Sequence, residues 1–491
     1  MRRASWLIVL LTVCVWPAVA WAQDEPAPIR EAVPPLPDSL RLYGATLPTN
    51  PALPDFGAPG DAVRLTLDEA IAVALAQNPD AAVSQLEARR AANDVTLGNA
   101  GYLPTLDVSA GLSGSRSSTF FGGGGADSAG AGGGGRSTRT STVADLSIGL
   151  GYTLYDGGLR SATYRRLEAD ARRLQLLADA DAEALVLEVA AAYLDVARQT
   201  ALGDAFAEAL AVSRDRLSIT QTEVRIGTAA EIDAALALAD YNADRSNLLQ
   251  QQVRAAGARA ALGGLLALSD PTAVSPTDTL ALGPPIDLDA LVTGAADQNR
   301  RIQALEEGEV VAARQVDQVQ SEYLPTIRGT IGGGVTSVDQ GFAPPDLDPT
   351  VGPDVRYGVT ASLPLFDGGE RRRRVENARI GLQQAELSTA GERMALQARA
   401  ARLAATARGF RALSDLETLN ETIARENVRV ALAQLRLGFI TPVDLRQIQL
   451  TLVDVRTRRV ETIYQALLAE AELRLLAGEL LPASPGRPER N

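Results

Sequence analysis

Hydrophobic and polar positions along this chain follow two rhythms, helical and strand-like, and the whole succession occurs twice. From Leu159 to Arg225, and again from Glu370 to Arg436, 67 residues run without a proline and with apolar positions at helical spacing, such as Leu202, Phe206 and Leu210. At 1.5 Å per residue each stretch predicts a rod about 100 Å long, more than a globular domain needs. Each rod stops at a glycine, Gly227 or Gly438, where a left-handed C-cap lets the chain reverse. Return helices are predicted over residues 228–268 and 441–479, the second with Pro442 in its first turn. The first return helix is too short to match its rod. The helix predicted over Pro79 to Gly101 makes up the length, so two short helices are expected end to end beside each long one.

Between the helices the period drops to two. Leu106, Val108, Ala110 and Leu112 alternate with Asp107, Ser109, Gly111 and Ser113, and Leu146, Ile148, Leu150, Tyr152 and Leu154 do the same on the far side. The second copy offers Ile327, Ile331 and Val335, then Val355, Tyr357, Val359, Ala361, Leu363 and Leu365. Runs of about ten residues, apolar on one face and small or polar on the other, fit transmembrane strands. They form two predicted hairpins, at about 105–154 and 326–366. The intervening loops, glycine-rich over 121–135 and rich in Pro, Asp and Gly over 337–354, read as exposed tips. Four strands leave two open edges, which lipid does not tolerate, so oligomerisation has to close the barrel. Eight strands from a dimer would be filled by side chains, whereas twelve from a trimer leave a lumen. The fold class expected is therefore mixed α and β, a twelve-stranded trimeric barrel continued by a helical tunnel, with an internal duplication.

The duplication is explicit at the junctions. Tyr102-Leu103-Pro104 returns as Tyr323-Leu324-Pro325, and Gln77-Asn78 as Gln298-Asn299, both 221 positions on. Tyr155-Asp156-Gly157-Gly158 returns as Phe366-Asp367-Gly368-Gly369, and Arg225-Ile226-Gly227 as Arg436-Leu437-Gly438, both 211 positions on. Repeats are thus expected over 65–270 and 288–480, joined by a linker over 271–287. The four aromatics at the strand ends are candidates for an interfacial girdle, with ordinary strand-end packing as the alternative. The glycine pairs let the chain turn from strand to rod.

Composition narrows the chemistry. Residues 1–22 carry Arg2 and Arg3, an apolar run and Ala20-Trp21-Ala22, which reads as a cleaved secretory signal. A Pro-rich segment follows over 23–64, and a tail over 481–491. The single cysteine, Cys14, lies in the signal, and the chain has no histidine. Ordinary Cys or His metal sites and His-based catalysis are excluded, so no catalytic, cofactor or metal residue is assigned. A net charge of −13 argues against a nucleic-acid partner. No uncharged apolar run after the signal is long enough for a membrane helix. Arg371 to Arg374 place positive charge in a first helical turn, against the macrodipole, which reads as a solvated face or as contact with anionic outer-membrane lipid.

The order of helix, Tyr-Leu-Pro, hairpin, aromatic-Asp-Gly-Gly, long helix, Arg-x-Gly turn and return helix, twice over, resembles the TolC-like outer-membrane efflux proteins across roughly Leu65 to Leu480. The resemblance implies a homotrimeric exit duct in the outer membrane with a large periplasmic part. Such a duct serves efflux or type I secretion, works with a periplasmic adaptor and an inner-membrane pump, and is not an enzyme. It implies that the turns at Arg225, Gly227 and Asp233 and at Arg436 and Gly438 dock the adaptor. It also implies that Asp444 lines a periplasmic constriction, with Gln447 where relatives carry a second acid. Acids in a first helical turn also suit the helix dipole, which is the plainer account of Asp233 and Asp444. A soluble periplasmic coiled-coil protein and a carboxylate enzyme are the rival classes.

Overall fold

The computed structural model describes residues 41–42, 45–46, 63–120, 136–340 and 350–479. The expected signal, most of the Pro-rich segment, the glycine tract at 121–135 and the tail lie outside the described residues. A small unit, Met1–Asp55, contributes a two-residue antiparallel ladder of β1 (Arg41–Leu42) and β2 (Ala45–Thr46). Everything else belongs to a second unit, Phe56–Asn491.

In chain order the second unit holds β3 (Val63–Leu65), α1 (Leu67–Gln77), α2 (Pro79–Asp94), β4 (Thr105–Phe120), β5 (Arg136–Tyr155), α3 (Leu159–Ile226) and α4 (Glu231–Leu265). The second copy follows with β6 (Val274–Pro276), α5 (Leu288–Gln298), α6 (Arg300–Ser321), β7 (Thr326–Gln340), β8 (Thr350–Ser362), α7 (Glu370–Arg436) and α8 (Pro442–Leu476). Three boundaries depart from the sequence expectation. Helix α2 stops at Asp94, because the Asn99 side chain donates to the Asp94 carbonyl and folds the chain into turns before Gly101. The second hairpin loop is shorter than 337–354, since β7 runs to Gln340 and β8 starts at Thr350. Strand β8 ends at Ser362, so Leu363 to Phe366 lead into the junction instead of extending the ladder.

The long helices flank the short ones in one layer, ordered α2 with α4, then α3, then α6 with α8, then α7. End-to-end stacking has a specific joint. Asn78 caps α2 by accepting from the N–H groups of Asp80 (2.9 Å) and Ala81 (3.4 Å), and its amide donates to the Leu265 carbonyl at the C-terminus of α4 (3.1 Å). Asn299 repeats this, capping α6 and donating to the Leu476 carbonyl of α8 (3.2 Å). One side chain thus satisfies orphan groups of two helices. The repeated Gln-Asn of the sequence is this splice.

Around each splice lies a core. Ala74, Ala81, Leu185, Val189, Tyr193, Val196, Ala258, Leu262 and Leu266 form one. Their duplicates Ala295, Ile302, Leu396, Ala400, Ala404, Ala407, Ala469, Leu473 and Ala477 form the other. No described helix is long and apolar enough to cross a membrane.

Candidate functional site: the sheet, its junctions and the helical tip

Strands β4, β5, β7 and β8 make one antiparallel sheet in that order. Register places Leu106, Leu150, Ile331 and Tyr357 in one row, and Val108, Ile148, Gly333 and Val355 in the next, all on one face. Among the described residues nothing covers this face: Leu106 is 65% exposed and Tyr357 85%. From Leu154 to Ala144 the apolar rows span about 33 Å along the strand, or about 25 Å of height at a tilt near 40°, the width of an outer-membrane apolar band. The opposite face carries Thr105, Asp107, Arg328, Thr330 and Arg356 with Gly149, Gly151 and Gly332, lining an open cleft of about 520 Å³. Apolar-out and polar-in faces on one sheet suit a wall between lipid and water.

Each junction is held by the same three side chains. Asp156 accepts from the N–H groups of Gly158 (3.2 Å) and Arg160 (3.0 Å), capping α3. The Arg160 guanidinium lies 3.0 Å from the same carboxylate, donates to the Thr153 carbonyl (2.8 Å) and covers the Tyr102 ring at 5.1 Å. In the second copy Asp367 accepts from Gly369 N–H (3.0 Å) and from Arg371 N–H (3.1 Å) and Nε (2.6 Å). Arg371 donates to the Glu322 carbonyl (3.2 Å) and covers Tyr323 at 5.1 Å. The Arg371 bond, with the capping N–H groups, holds the Asp367 carboxyl down to about 2. The glycine pairs take positive φ, 67° and 92° at Gly157 and Gly158, 65° and 82° at Gly368 and Gly369, which sequence with a Cβ rarely allows.

These contacts revise the reading of Arg371 to Arg374. Arg371 is buried in the clasp, Arg374 pairs with Glu322 at 2.8 Å, and Arg373 donates to its own Gly368 carbonyl, so the run is mostly junction structure instead of a free basic face. Arg160 went unnoticed in the sequence. The signal was there, because Asp-Gly-Gly-x-Arg is the full repeated motif. Guanidiniums lie over the rings of Tyr102 and Tyr323, yet Tyr323 stays exposed, as do Tyr155 and Phe366, the last at 90%. Pro104 and Pro325 lie just before β4 and β7.

At the other end of the layer, Gly227 and Gly438 turn the chain with φ of 80° and 75°. Arg225 is exposed, and Arg436 approaches Asp215 at 3.9 Å. Asp444 is exposed and closes a capping box: its carboxylate accepts from Thr441 N–H (3.0 Å) and Oγ1 (2.6 Å), and Thr441 Oγ1 accepts from Asp444 N–H. Those bonds hold its carboxyl below the usual carboxylate range, so it is ionised at neutral pH. Asp233 accepts from Ala230 N–H (3.1 Å), the same box with its hydroxyl half missing. Gln447 is exposed one turn beyond Asp444. Behind the turns lies a buried network the sequence did not reveal. Asp244 of α4 accepts from Ser213 of α3 and from Arg446 (2.6 and 3.0 Å) and Gln449 (3.1 Å) of α8. Arg216 pairs with Asp240 alongside it.

An unclosed transmembrane sheet continued without a break by a helical layer defines a wall segment of a membrane duct. The chain belongs to the outer membrane efflux protein family, whose model matches residues 70–268 and 291–479. Protein CyaE of Bordetella pertussis is 28% identical over 361 residues, 71% of this chain and 70% of that protein. Among solved structures, the fold is shared with the Campylobacter jejuni CmeC outer membrane channel (TM-score 0.69, 16% identity, 86% of this chain and 87% of that one). It is shared too with the outer membrane protein VceC of Vibrio cholerae (0.65, 17%, 84% and 96%) and the Neisseria gonorrhoeae MtrE outer membrane channel in its open state (0.66, 16%, 89% and 99%). The protein is an outer-membrane exit duct for efflux or secretion, with a large periplasmic part, and a transport protein instead of an enzyme. The soluble periplasmic alternative falls with this assignment.

Proposed function

We propose that three copies of this chain assemble into a twelve-stranded barrel and a periplasmic helical tunnel, through which an inner-membrane pump and a periplasmic adaptor discharge solutes. One observation carries this reading: the sheet and the helical layer share an order and share their open edges. Strand β4 and helices α2 and α4 bound one side, and β8 and α7 bound the other. A single protomer leaves backbone groups of both edge strands unpaired, at several kcal/mol each in lipid, so closure by further copies is required.

On this reading the turns around Arg225, Gly227 and Asp233 and around Arg436 and Gly438 meet the adaptor. Leu437, Phe439 and Val443 support it, as apolar side chains exposed together at the second turn. Asp444 and Gln447 face the periplasmic constriction, and the exposed Tyr155 and Phe366 meet the lipid interface. Three ionised Asp444 carboxylates around one axis favour cations.

The test separates charge from capping. Asn keeps an oxygen for the Thr441 hydrogen bonds, whereas Ala does not. In planar bilayers the wild type is expected to pass discrete cation-preferring currents, and Asp444→Asn to lose most of that preference with unchanged thermal stability. An unchanged reversal potential in Asp444→Asn would restrict Asp444 to its capping role. Absence of any conductance from detergent-extracted protein would remove the duct itself.

A further inference from the structure

Both long helices descend from the sheet, and each carries two exposed arginines seven residues apart within its first four turns: Arg165 and Arg172 on α3, Arg372 and Arg379 on α7. Arg172 is paired with Glu307 of α6 at 3.2 Å, yet its side chain stays 56% exposed. Arg165, Arg372 and Arg379 have no partner among the described residues. Glu168 and Glu376 lie one turn below Arg165 and Arg372 and make no ion pair with them among the described residues.

The handedness of the wall decides which way they point. Leu146 and Ile148, on the apolar face of β5, turn their carbonyl oxygens toward β7: a Cβ on Gly334 would stand 2.9 Å from the Leu146 oxygen, and one on Gly332 3.2 Å from that of Ile148. For L-residues on a strand descending to the junction, this puts β7 to the left of β5 seen from the apolar face. Helix α7, which follows β8, therefore has α6 and α8 on its right. Seen from the sheet it turns clockwise by about 100° per residue. Arg371 reaches right, to the Glu322 carbonyl at the end of α6, so Arg372 and Arg379, about a quarter turn on, face out on the side continuous with the apolar rows. On α3, Arg160 reaches right to Tyr102 beyond α2, and Arg165 and Arg172 follow it by about 140° and 120°, onto the same outer side.

We infer that these four arginines form a basic belt that binds the phosphates of anionic phospholipids on the periplasmic face of the outer membrane. The inference rests on the reading that the apolar sheet spans that membrane. Exposed Leu154 and Phe366 close the apolar surface just above the helix starts at Leu159 and Glu370. At 1.5 Å per residue, Arg372 lies about 3 Å and Arg165 about 9 Å below those starts, Arg379 and Arg172 about 14 and 20 Å. The headgroup layer on each side of a bilayer is about 5–7 Å deep. Side chains on a helix lean toward its N-terminus, here toward the membrane, and a long arginine carries its charge further that way. Arg372 and Arg165 thus reach the phosphates, while Arg379 and Arg172 act across more than a Debye length of about 8 Å and add less. Positive charge in a first turn opposes the helix dipole, so local structure gives no reason for Arg372. A layer of phosphates above it does.

Lipid retention by the full chain tests the belt. Protein purified in detergent is mixed with phosphatidylglycerol or with phosphatidylcholine, and bound lipid is counted by native mass spectrometry. Wild type should retain phosphatidylglycerol in clear preference. Arg165→Gln combined with Arg372→Gln should lower that retention by about fivefold for each arginine removed beside a charged surface, and Arg172→Gln combined with Arg379→Gln by less. Melting of the first pair should match wild type, since neither arginine is buried. Arg425→Gln combined with Arg429→Gln removes the same charge from exposed positions about 80 Å further along α7 and should leave retention unchanged. Equal retention of the two lipids by wild type, or equal losses in the near and distant pairs, would overturn the belt while leaving the membrane-spanning sheet intact. Recovery of the protein in buffer without detergent would overturn both.

Discussion

Helices α3 and α7 are one element written twice, and they differ in the chemistry of the same flank. On α3 the flank carries Glu183, paired with Arg300 of α6, and Glu208, paired with Arg456 of α8. On α7 the corresponding positions are Met394 and Leu419, both exposed. The difference follows from what each flank can rely on. Neighbours of α3 are in the same chain and always present, so buried charge there can be given fixed partners and sets the register of the layer. Among the described residues the flank of α7 has no partner, and in the proposed assembly it gains one only from another molecule. A charge left there would be desolvated with uncertain pairing, whereas apolar area supplies a driving force that needs no exact match.

The comparison breaks most visibly at Asp244, which is 5% exposed and collects Ser213, Arg446 and Gln449 from two other helices. Asp244→Ala leaves the Arg446 guanidinium only the more distant Asp240 at 3.9 Å, and removing one partner of a buried pair costs about 3–5 kcal/mol. Thermal unfolding in detergent should fall sharply, and limited proteolysis should open α4 near the tip. A variant as stable as wild type would mean that the polar seam does not hold the repeats together. On the apolar flank the outcome should depend on assembly. Leu387, 73% exposed in the protomer, is expected to cost almost nothing in a dissociated chain and about 2 kcal/mol per protomer once covered. Leu387→Ala should therefore lower the concentration of detergent at which trimers dissociate while leaving the helical content of the monomer unchanged. Equal loss in both states would place Leu387 in an intramolecular core.

Sequence periodicity made the long helices, the hairpins and the duplication legible, since each depends on local spacing repeated over many residues. The open-edged order of the layer was not legible, because it depends on which helix finds which neighbour. Tyr193 illustrates the limit. Its ring fills the first core at 2% exposure, and its hydroxyl lies 3.0 Å from the Leu65 carbonyl and 2.9 Å from Asp278, tying α3 to β3 and the linker. The duplicate position is Ala404, where the other core makes up volume with Ile302 opposite Ala81 of the first. The exchange of volume between distant helices is a packing fact that spacing along one helix does not carry. The junction clasp lay between these cases: Asp156 and Arg160 are four apart and repeated, yet the tyrosine each arginine covers comes from before the hairpin.

The subtlest distinction between the two flanks is at Glu183 and its duplicate Met394. Glu183 is 2% exposed, its nearest cation is Arg300 Nε at 3.6 Å, and its Oε1 has no hydrogen bond among the described residues. Burial raises its pKa above the ordinary 4.5; Arg300 opposes the shift and the negative charge of Asp179 adds to it. The folded state therefore holds a proton that the unfolded chain has already released. This contribution to stability is fully present below pH 4.5 and is lost as pH rises through the folded value. Glu183→Gln removes the titration and keeps the shape. The variant should melt at a higher temperature than wild type at pH 8, with the gap closing toward pH 4, and Met394→Gln should show no such pH dependence. A constant difference across that range would mean that Arg300 stabilises the ionised carboxylate as much as burial disfavours it, so that this charge, like those around Asp244, belongs to a balanced pair.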